Sequence, residues 1–245
     1  HPTLTSVSLT SSNGVSTLSK DGDTITLAFT VSEAGGAPTC DIEIDGTDAT
    51  NAETVNDLAG NAWSCTVVTA DADDDGAVTF SIAFSDTAGN AGTAVTGVTD
   101  GTAVTHDDTV PTLSAVTMAS NNAVSTLTKD GDTVTISITS SEAIGTPTCA
   151  VTINGAASTN TEGISGSGTS WSCTLVTHDS DADGAVAFSI GFSDSAGNAG
   201  TAVTAVTGGS GVTHDDTAPT LSSVTIASNN AVTTLTKDGD TVTIS

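Results

Sequence analysis

Apolar and polar residues alternate strictly along two stretches of the chain. Ile25, Leu27, Phe29 and Val31 alternate with Thr and Ala, and residues 78–85 repeat the same alternation. A period of two residues predicts a strand with one buried face. All five phenylalanines fall on these two stretches or on their later copies, and no stretch keeps the 3.6-residue period of a helix. The pattern therefore predicts an all-β protein with a core built on these strands.

The whole pattern recurs along the chain in register. Residues 2–110 form one copy and residues 111–218 a second, while residues 219–245 match the start of the second copy with three differences in 27 positions. A period of 108 or 109 residues suits one autonomous domain, whereas solenoid units run to roughly 20–50 residues. We predict two complete repeats and the first two strands of an incomplete third, as in a piece of a longer array.

Each repeat carries signals for seven short strands, separated by turns rich in Gly, Asn and Asp. In the first repeat the predicted strands span residues 4–10, 24–31, 39–44, part of 47–60, 63–68, 78–85 and part of 93–105. Seven short strands in about 108 residues are typical of an immunoglobulin-like sandwich. The predicted fold class is tandem immunoglobulin-like Greek-key β-sandwiches.

Four cysteines lie two to a repeat at matching positions. This placement predicts the intradomain disulfides Cys40–Cys65 and Cys149–Cys173, which form in oxidising compartments. If the strands alternate in direction, both sulfurs of a pair lie at the same end of the domain and point inward, so each bridge joins the two sheets. Zinc is the alternative, but a tetrahedral site needs further ligands and no matching pair of histidines accompanies the cysteines.

The chain is strongly acidic, with 29 Asp and Glu, three Lys, no Arg and a formal charge of −26. This charge argues against nucleic acid and anionic membranes as partners and favours cations, although acidity also keeps a secreted surface soluble. No apolar run approaches the length of a membrane span, and the chain begins without a signal-peptide pattern. We expect a mature or excised piece of a secreted, cell-surface protein that does not insert into the membrane.

The first candidate metal loop has the spacing D-x-D-x-D-G and occurs once in each complete repeat. The aspartates are Asp71, Asp73 and Asp75 in the first repeat and Asp179, Asp181 and Asp183 in the second. Alternate side chains of such a tight loop can converge on one hard cation, Ca²⁺ in particular. An EF-hand needs a Glu eleven residues after the first Asp, where Ile82 and Ile190 stand, so the loop is at best partial. The alternative is a solvated turn.

The second candidate site lies where the two repeats meet. Strand direction places the second repeat's loops beside the linker 105–109, and the expected ligands are Asp107, Asp108, Glu142, Asp194 and Asn198. Ca²⁺ would remove the repulsion among these carboxylates and fix the angle between the domains. The alternative is that Asp86 and Asp194 cap turns through their own backbone.

We expect the histidines, including His106 and His214 of the linkers, to be exposed.

Short motifs spread over the whole chain carry a family resemblance. The motifs in the first repeat are Ser32-Glu33, Pro38-Thr39, Asp75-Gly76, Ser85-Asp86-Thr87-Ala88-Gly89-Asn90 and Asp107-Asp108-Thr109-Val110-Pro111, and the second repeat has counterparts of each. This set resembles the bacterial immunoglobulin-like repeats of large surface adhesins and other extracellular array proteins. The resemblance implies the fold, but members of this class differ widely in what they bind.

The sequence favours a structural function over catalysis. No His, Asp and Ser arrangement is expected to meet in a cleft, and the carboxylates lack a nearby Trp or Tyr to hold a sugar. We predict a non-enzymatic spacer or filament segment, whose partners are the neighbouring identical repeats and other copies of the chain in a fibre. The alternative is an array of carbohydrate- or receptor-binding modules, for which the diversified segments 45–61 and 155–170 are the candidates.

Overall fold

The computed structural model describes residues 1–245, which form strands and no helix. The predicted all-β fold class is confirmed. In the first repeat the strands are β1 (Leu4–Ser11), β2 (Leu18–Ser19), β3 (Thr24–Val31), β4 (Thr39–Ile44), β5 (Thr47–Asp48), β6 (Thr54–Asp57), β7 (Ala62–Val68), β8 (Gly76–Ala83) and β9 (Thr105–His106).

The second repeat has the same nine strands in the same order. They are β10 (Leu113–Ser120), β11 (Leu127–Thr128), β12 (Thr133–Ser140), β13 (Thr148–Ile153), β14 (Ala156–Ala157), β15 (Gly163–Ser167), β16 (Ser170–Val176), β17 (Gly184–Gly191) and β18 (Thr213–His214). Two further strands, β19 (Ile226–Ser228) and β20 (Val242–Ile244), pair as an antiparallel ribbon in the third copy, where Ile226 and Ile244 are exposed.

Each complete repeat is a sandwich of two sheets. In the first repeat one sheet has the order β1-β3-β7-β6 and the other the order β2-β9-β8-β4-β5, and the second repeat repeats both orders. The first order is the ABED sheet of an immunoglobulin constant-type domain, and the second contains its CFG sheet with a short strand at each edge. All pairings are antiparallel except β2 with β9 and β11 with β18. The chain is therefore a tandem of immunoglobulin-like sandwiches.

The alternation along β3 produces the core directly. Its four large apolar side chains are buried, and its three threonines and Ala28 are half-buried, because the strand lies inside its sheet and presents one face to the opposite sheet. Strands β4 and β8 supply the other half of the core through residues such as Ile42 and Ile82. A second cluster of the same size fills the second repeat. Each sandwich therefore has its own core.

Both predicted disulfides are present, and each joins the two sheets of its sandwich. Cys40 lies on β4 and Cys65 on β7, with Cα atoms 6.4 Å apart, and Cys149 and Cys173 occupy the same positions with Cα atoms 6.5 Å apart. Trp63, two residues before Cys65, is half-buried against the core rather than fully enclosed. The bridge therefore joins the two sheets at the middle of β7, not at the strand end predicted from strand direction.

The last predicted strand, expected in part of residues 93–105, forms only at the end of that segment. Only β9, at its end, pairs along two residues, and Val95 forms one isolated bridge with Ile82. The segment is rich in Gly, Ala and Thr and lacks a run of alternating large residues, so only a few side chains such as Val104 hold it against the core. The sheet edge is irregular for this reason.

The prediction that His106 and His214 are exposed is wrong, because each has a relative exposure of 0%. They are the second residues of the two-residue strands β9 and β18, where the first residue points outward and the second inward.

The structure contains no helix long and apolar enough to cross a membrane.

Candidate metal centre at the domain junction

The junction is built from loops at facing ends of the two sandwiches. The first repeat contributes the loop between β1 and β2, the loop 69–75 before β8, and the linker that follows β9. The second repeat contributes residues 141–142, which directly follow β12, and the turn 193–199 after β17. Because neighbouring strands run in opposite directions, these loops meet as the sequence predicts.

Two side-chain hydrogen bonds hold the second repeat's turn against the first repeat and the linker. Asn198 Nδ2 donates to the carbonyl oxygen of Asp107 at 2.7 Å, and Asn13 Nδ2 donates to the carbonyl oxygen of Ala196 at 2.9 Å. Lys20 adds an aliphatic surface beside Gly197, since a Cβ atom there would lie 3.6 Å from Lys20 Cε. The two sandwiches are therefore in specific contact.

The turn after β8 in the first repeat has the same sequence pattern and gives an internal comparison. Asp86 is half-buried and Asn90 exposed, whereas their counterparts Asp194 and Asn198 are 6% and 8% exposed. Local hydrogen bonds are nearly the same in both turns, because each aspartate accepts from the backbone and the side-chain amide of its asparagine. The extra burial of the second turn therefore comes from the junction.

Three carboxylates of the junction converge. Oxygens of Asp107, Glu142 and Asp194 lie within 4.8 Å of one another. Burial and then the charges of Asp194 and Asp75 raise the pKa of Asp107, while burial and then the charges of Asp107, Asp194 and Asp75 raise the pKa of Glu142. The ionised cluster therefore carries an electrostatic cost, which a divalent cation would remove. All three donors are oxygens, which Ca²⁺ prefers.

Turn capping, the alternative to metal binding at Asp194, also occurs. Asp194 Oδ1 accepts hydrogen bonds from the backbone N–H groups of Gly197 at 2.7 Å and Asn198 at 2.9 Å. These two donors occupy Oδ1, but Oδ2 accepts only from Asn198 Nδ2 and keeps a second lone pair for a cation. The capping bonds fix the orientation of the carboxylate toward Asp107 and Glu142, so the two functions are compatible.

Asp108 does not belong to this cluster, although it was predicted there from the sequence. Its carboxylate lies with Asp75 and His106 in a second group, whose ligand atoms are also within 4.8 Å of one another. The Asp108 N–H donates to Asp75 Oδ1 at 2.7 Å, and the Thr109 hydroxyl donates to Asp75 Oδ2. Successive aspartates of the linker therefore face different repeats: Asp107 lies beside the second repeat and Asp108 beside the first.

The three aspartates of the D-x-D-x-D-G loop do not converge on one point. Asp71 is exposed, whereas Asp73 is buried and accepts from Thr50 N at 2.7 Å and Ala70 N at 2.9 Å. Asp75 instead accepts hydrogen bonds from the linker. The loop is a structural turn anchored by its middle aspartate, and only its third aspartate faces other candidate ligands.

The loop in the second repeat has the same arrangement. Asp181 is buried and accepts from Thr159 N at 2.8 Å and His178 N at 2.9 Å. Asp179 is exposed beside His178, and Asp183 accepts from the N–H of Asp216, as Asp75 does from the first linker. Both copies therefore use the middle aspartate to hold the turn.

One further acidic group was not predicted from the sequence. Asp41, Glu43 and Asp48 have oxygens within 4.8 Å of one another on the outer face of β4 and β5. Burial and then the charges of Asp48, Glu43 and Glu53 raise the pKa of Asp41. The signal was available, since Asp41 and Glu43 alternate with buried isoleucines, but the pairing of Asp48 with Glu43 depends on the hairpin.

Solved structures similar to this chain are tandem immunoglobulin domains. The I-band fragment I67-I69 from titin has a TM-score of 0.45 at 10% identity and is matched over 88% of this chain, which spans 65% of that fragment. DIP-gamma IG1+IG2 has a TM-score of 0.36 at 12% identity over 88% of this chain and 97% of that one. For the tandem Ig repeats of Dlar the TM-score is 0.27 at 12% identity, with coverage of 88% and 98%. No protein-family model and no curated protein matches the sequence.

The contribution of the Asn198 hydrogen bond to stability can be measured by comparison with Asn90, the matched position in the first repeat. We expect Asn198→Ala to destabilise its repeat by about 1 kcal/mol more than Asn90→Ala destabilises the other, because only Asn198 donates to the linker. Denaturant unfolding of the full chain, followed by hydrogen exchange to assign each transition, gives both values. Equal costs at the two positions would contradict a bond across the junction.

Proposed function

We propose that this protein is a non-enzymatic spacer segment of a secreted, cell-surface array, such as the stalk of an adhesin or a filament. The observation that carries the proposal is the specific contact between successive repeats. Asp194 and Asn198 are buried at the junction, whereas their counterparts in the first repeat, Asp86 and Asn90, are half-buried and exposed. Sandwiches that dock in this way transmit orientation along a chain, which a stalk needs and a loosely tethered binding module does not.

The disulfides support an extracellular location. Each domain has a bridge between its sheets, and such bridges persist in oxidising surroundings. The acidic surface fits the same location, because a charge of −26 keeps a crowded array soluble and repels anionic membranes. The resemblance to bacterial surface repeats adds the adhesin context to the proposal.

Ca²⁺ at the junction would complete the spacer. Asp107 belongs to the linker, while Glu142 and Asp194 belong to two different loops of the second repeat. A cation that binds all three carboxylates would tie the linker to both loops and limit hinge motion. Asn198 would help to orient the ligands, because its side-chain amide donates hydrogen bonds to both the Asp107 carbonyl and the Asp194 carboxylate.

The Ca²⁺ proposal is tested with two matched variants. We expect Ca²⁺ to raise the melting temperature and narrow the distribution of interdomain distances in the parent chain and in Glu33→Gln, but not in Glu142→Gln. Glu33 is the counterpart of Glu142 in the first repeat and is exposed there, so it controls for general charge effects. Calorimetry and spin-label distances, each with Ca²⁺ and with chelator, give the readouts. If Ca²⁺ changes neither quantity in the parent chain, the calcium part of the proposal is wrong.

The alternative function, a carbohydrate- or receptor-binding module, rests on the diversified segment between the cysteines. In the first repeat this segment exposes Leu58 beside the positive-φ residues Ala59 and Asn61, whereas the second repeat has a Gly-containing turn there. Glycan-array binding by the full chain that disappears in Leu58→Ser would favour the binding module. Binding of no glycan above background leaves the spacer as the better account.

A further inference from the structure

The linker histidine has an unusual environment. His106 is fully buried, and its Nδ1 atom lies 3.2 Å from the Ser19 hydroxyl oxygen. Its Nε2 atom is buried and has no hydrogen-bond partner, and the same holds for Asp108 Oδ2, which faces it at 3.9 Å. That distance is too long for a hydrogen bond. Unpaired buried polar atoms are costly, so this pair of facing atoms calls for a ligand.

A cation between the two atoms satisfies both. If His106 Nδ1–H donates to Ser19, the lone pair of Nε2 is directed at Asp108, which is the usual arrangement of a metal-binding imidazole with a supporting hydrogen bond. Asp75 supplies a third ligand within 4.8 Å. Its carboxylate is held by the Asp108 N–H and the Thr109 hydroxyl, so it is already oriented.

We propose that His106, Asp75 and Asp108 form a binding site for a first-row transition ion, Zn²⁺ in particular, that is distinct from the carboxylate cluster of Asp107, Glu142 and Asp194. Imidazole nitrogen with two carboxylates suits Zn²⁺, whereas Ca²⁺ requires six to eight oxygen ligands. Three protein ligands leave one tetrahedral position for water. A groove lined by Asp75, His106, Asp107 and Glu142 opens to solvent and can supply it.

The second linker has the same residue types, but its histidine and aspartates do not converge as Asp75, His106 and Asp108 do. His214 is also fully buried, but neither ring nitrogen has a hydrogen-bond partner. The counterpart of Asp108, Asp216, accepts instead from the N–H of Asp130 at 3.3 Å. The same residue types therefore occur twice, and the first linker brings its histidine and two aspartates together.

The test is a titration of the full chain with Zn²⁺ in chelator-treated buffer, followed by isothermal calorimetry. We expect one bound equivalent that His106→Gln and Asp108→Asn each weaken by about tenfold or more. Asp108→Asn is the safer variant, because the Asp108 side chain is 17% exposed and the substitution preserves its shape. The circular dichroism melt of each variant confirms folding. With Co²⁺ as the probe, the same variants should lose the intense visible absorption of a tetrahedral ion.

His178→Gln is the matched control for surface binding. His178 Nδ1 lies 2.8 Å from Asp179 Oδ1 on an exposed loop and is the rival His–Asp pair. Zn²⁺ binding that His178→Gln removes, that neither His106→Gln nor Asp108→Asn weakens, or that does not occur at all would overturn the proposal. Glu142→Gln should leave Zn²⁺ binding intact, and Asp108→Asn should leave the Ca²⁺ response intact. Failure of one metal site is therefore distinguishable from failure of the other.

Discussion

Replacement of Cys149 and Cys173 by alanine should lower the free energy of unfolding of the second repeat by about 3 kcal/mol. The bridge closes a loop across 24 residues and connects the two sheets of the sandwich. Removal of such a cross-link increases the entropy of the unfolded chain, which is the main origin of the loss. Calorimetry of the full chain should show the transition of the second repeat moving to lower temperature.

The first repeat is the internal control in the same molecule. Its own bridge, Cys40–Cys65, is intact in that variant, so its transition should move only by the loss of docking energy from its neighbour. In a pulling experiment, loss of one bridge should lengthen the extended chain of that repeat by roughly 80 Å, since about 24 more residues become extensible. A loss of stability under about 1 kcal/mol would show that the bridge contributes little to the sandwich.

The regular strands could be predicted from local pattern because their burial follows from the alternation itself. β3 and β4 have the predicted bounds, and β1 and β7 differ from the prediction by one residue at one end. The edge of the second sheet could not be predicted. Its pairing depends on backbone contacts, such as Val78 N with the Val104 carbonyl at 2.9 Å, rather than on a run of apolar side chains. Sequence patterns report burial, and an irregular edge has little of it.

The junction could be predicted in outline because strand direction determines which loops meet. The convergence of Asp107, Glu142 and Asp194 follows from this rule. The separation of Asp107 from Asp108 does not, because it depends on which side of the linker each carboxylate leaves. Nor does the burial of His106, which depends on the short parallel pairing of β2 with β9. Two-residue strands have no pattern from which to predict them.

The role of the middle aspartate of the D-x-D-x-D-G loop could not be predicted from the sequence either, and this residue contributes more to the stability of its repeat. Its spacing suggests a cation ligand, but its partners, the N–H groups of Thr159 and His178 for Asp181, are backbone groups that any sequence could supply. Only the fold brings residue 159 next to this loop. A buried carboxylate whose two oxygens already accept from backbone donors stabilises the turn without metal.

Asp181→Ala should therefore destabilise the second repeat by about 2 kcal/mol, because it removes two charge-assisted hydrogen bonds made by a buried carboxylate. Asp179→Ala on the same loop should change stability by less than about 0.5 kcal/mol, since its carboxylate is exposed. Denaturant unfolding of both variants measures this difference. Equal small effects, together with a loss of Ca²⁺ response in both, would instead indicate a calcium loop.

The pH dependence of the same variant follows from the direction of the shift. Burial by itself would raise the pKa of Asp181, but the hydrogen bonds from Thr159 and His178 outweigh it and lower the pKa. A carboxylate with a lowered pKa in the folded state contributes stability that is complete above its unfolded pKa of about 3.9 and is lost as the pH falls through the folded pKa. The difference between parent and Asp181→Ala should thus be constant from neutral pH to about pH 5 and shrink below about pH 4. A difference that grows on acidification would contradict an ionised, hydrogen-bonded Asp181.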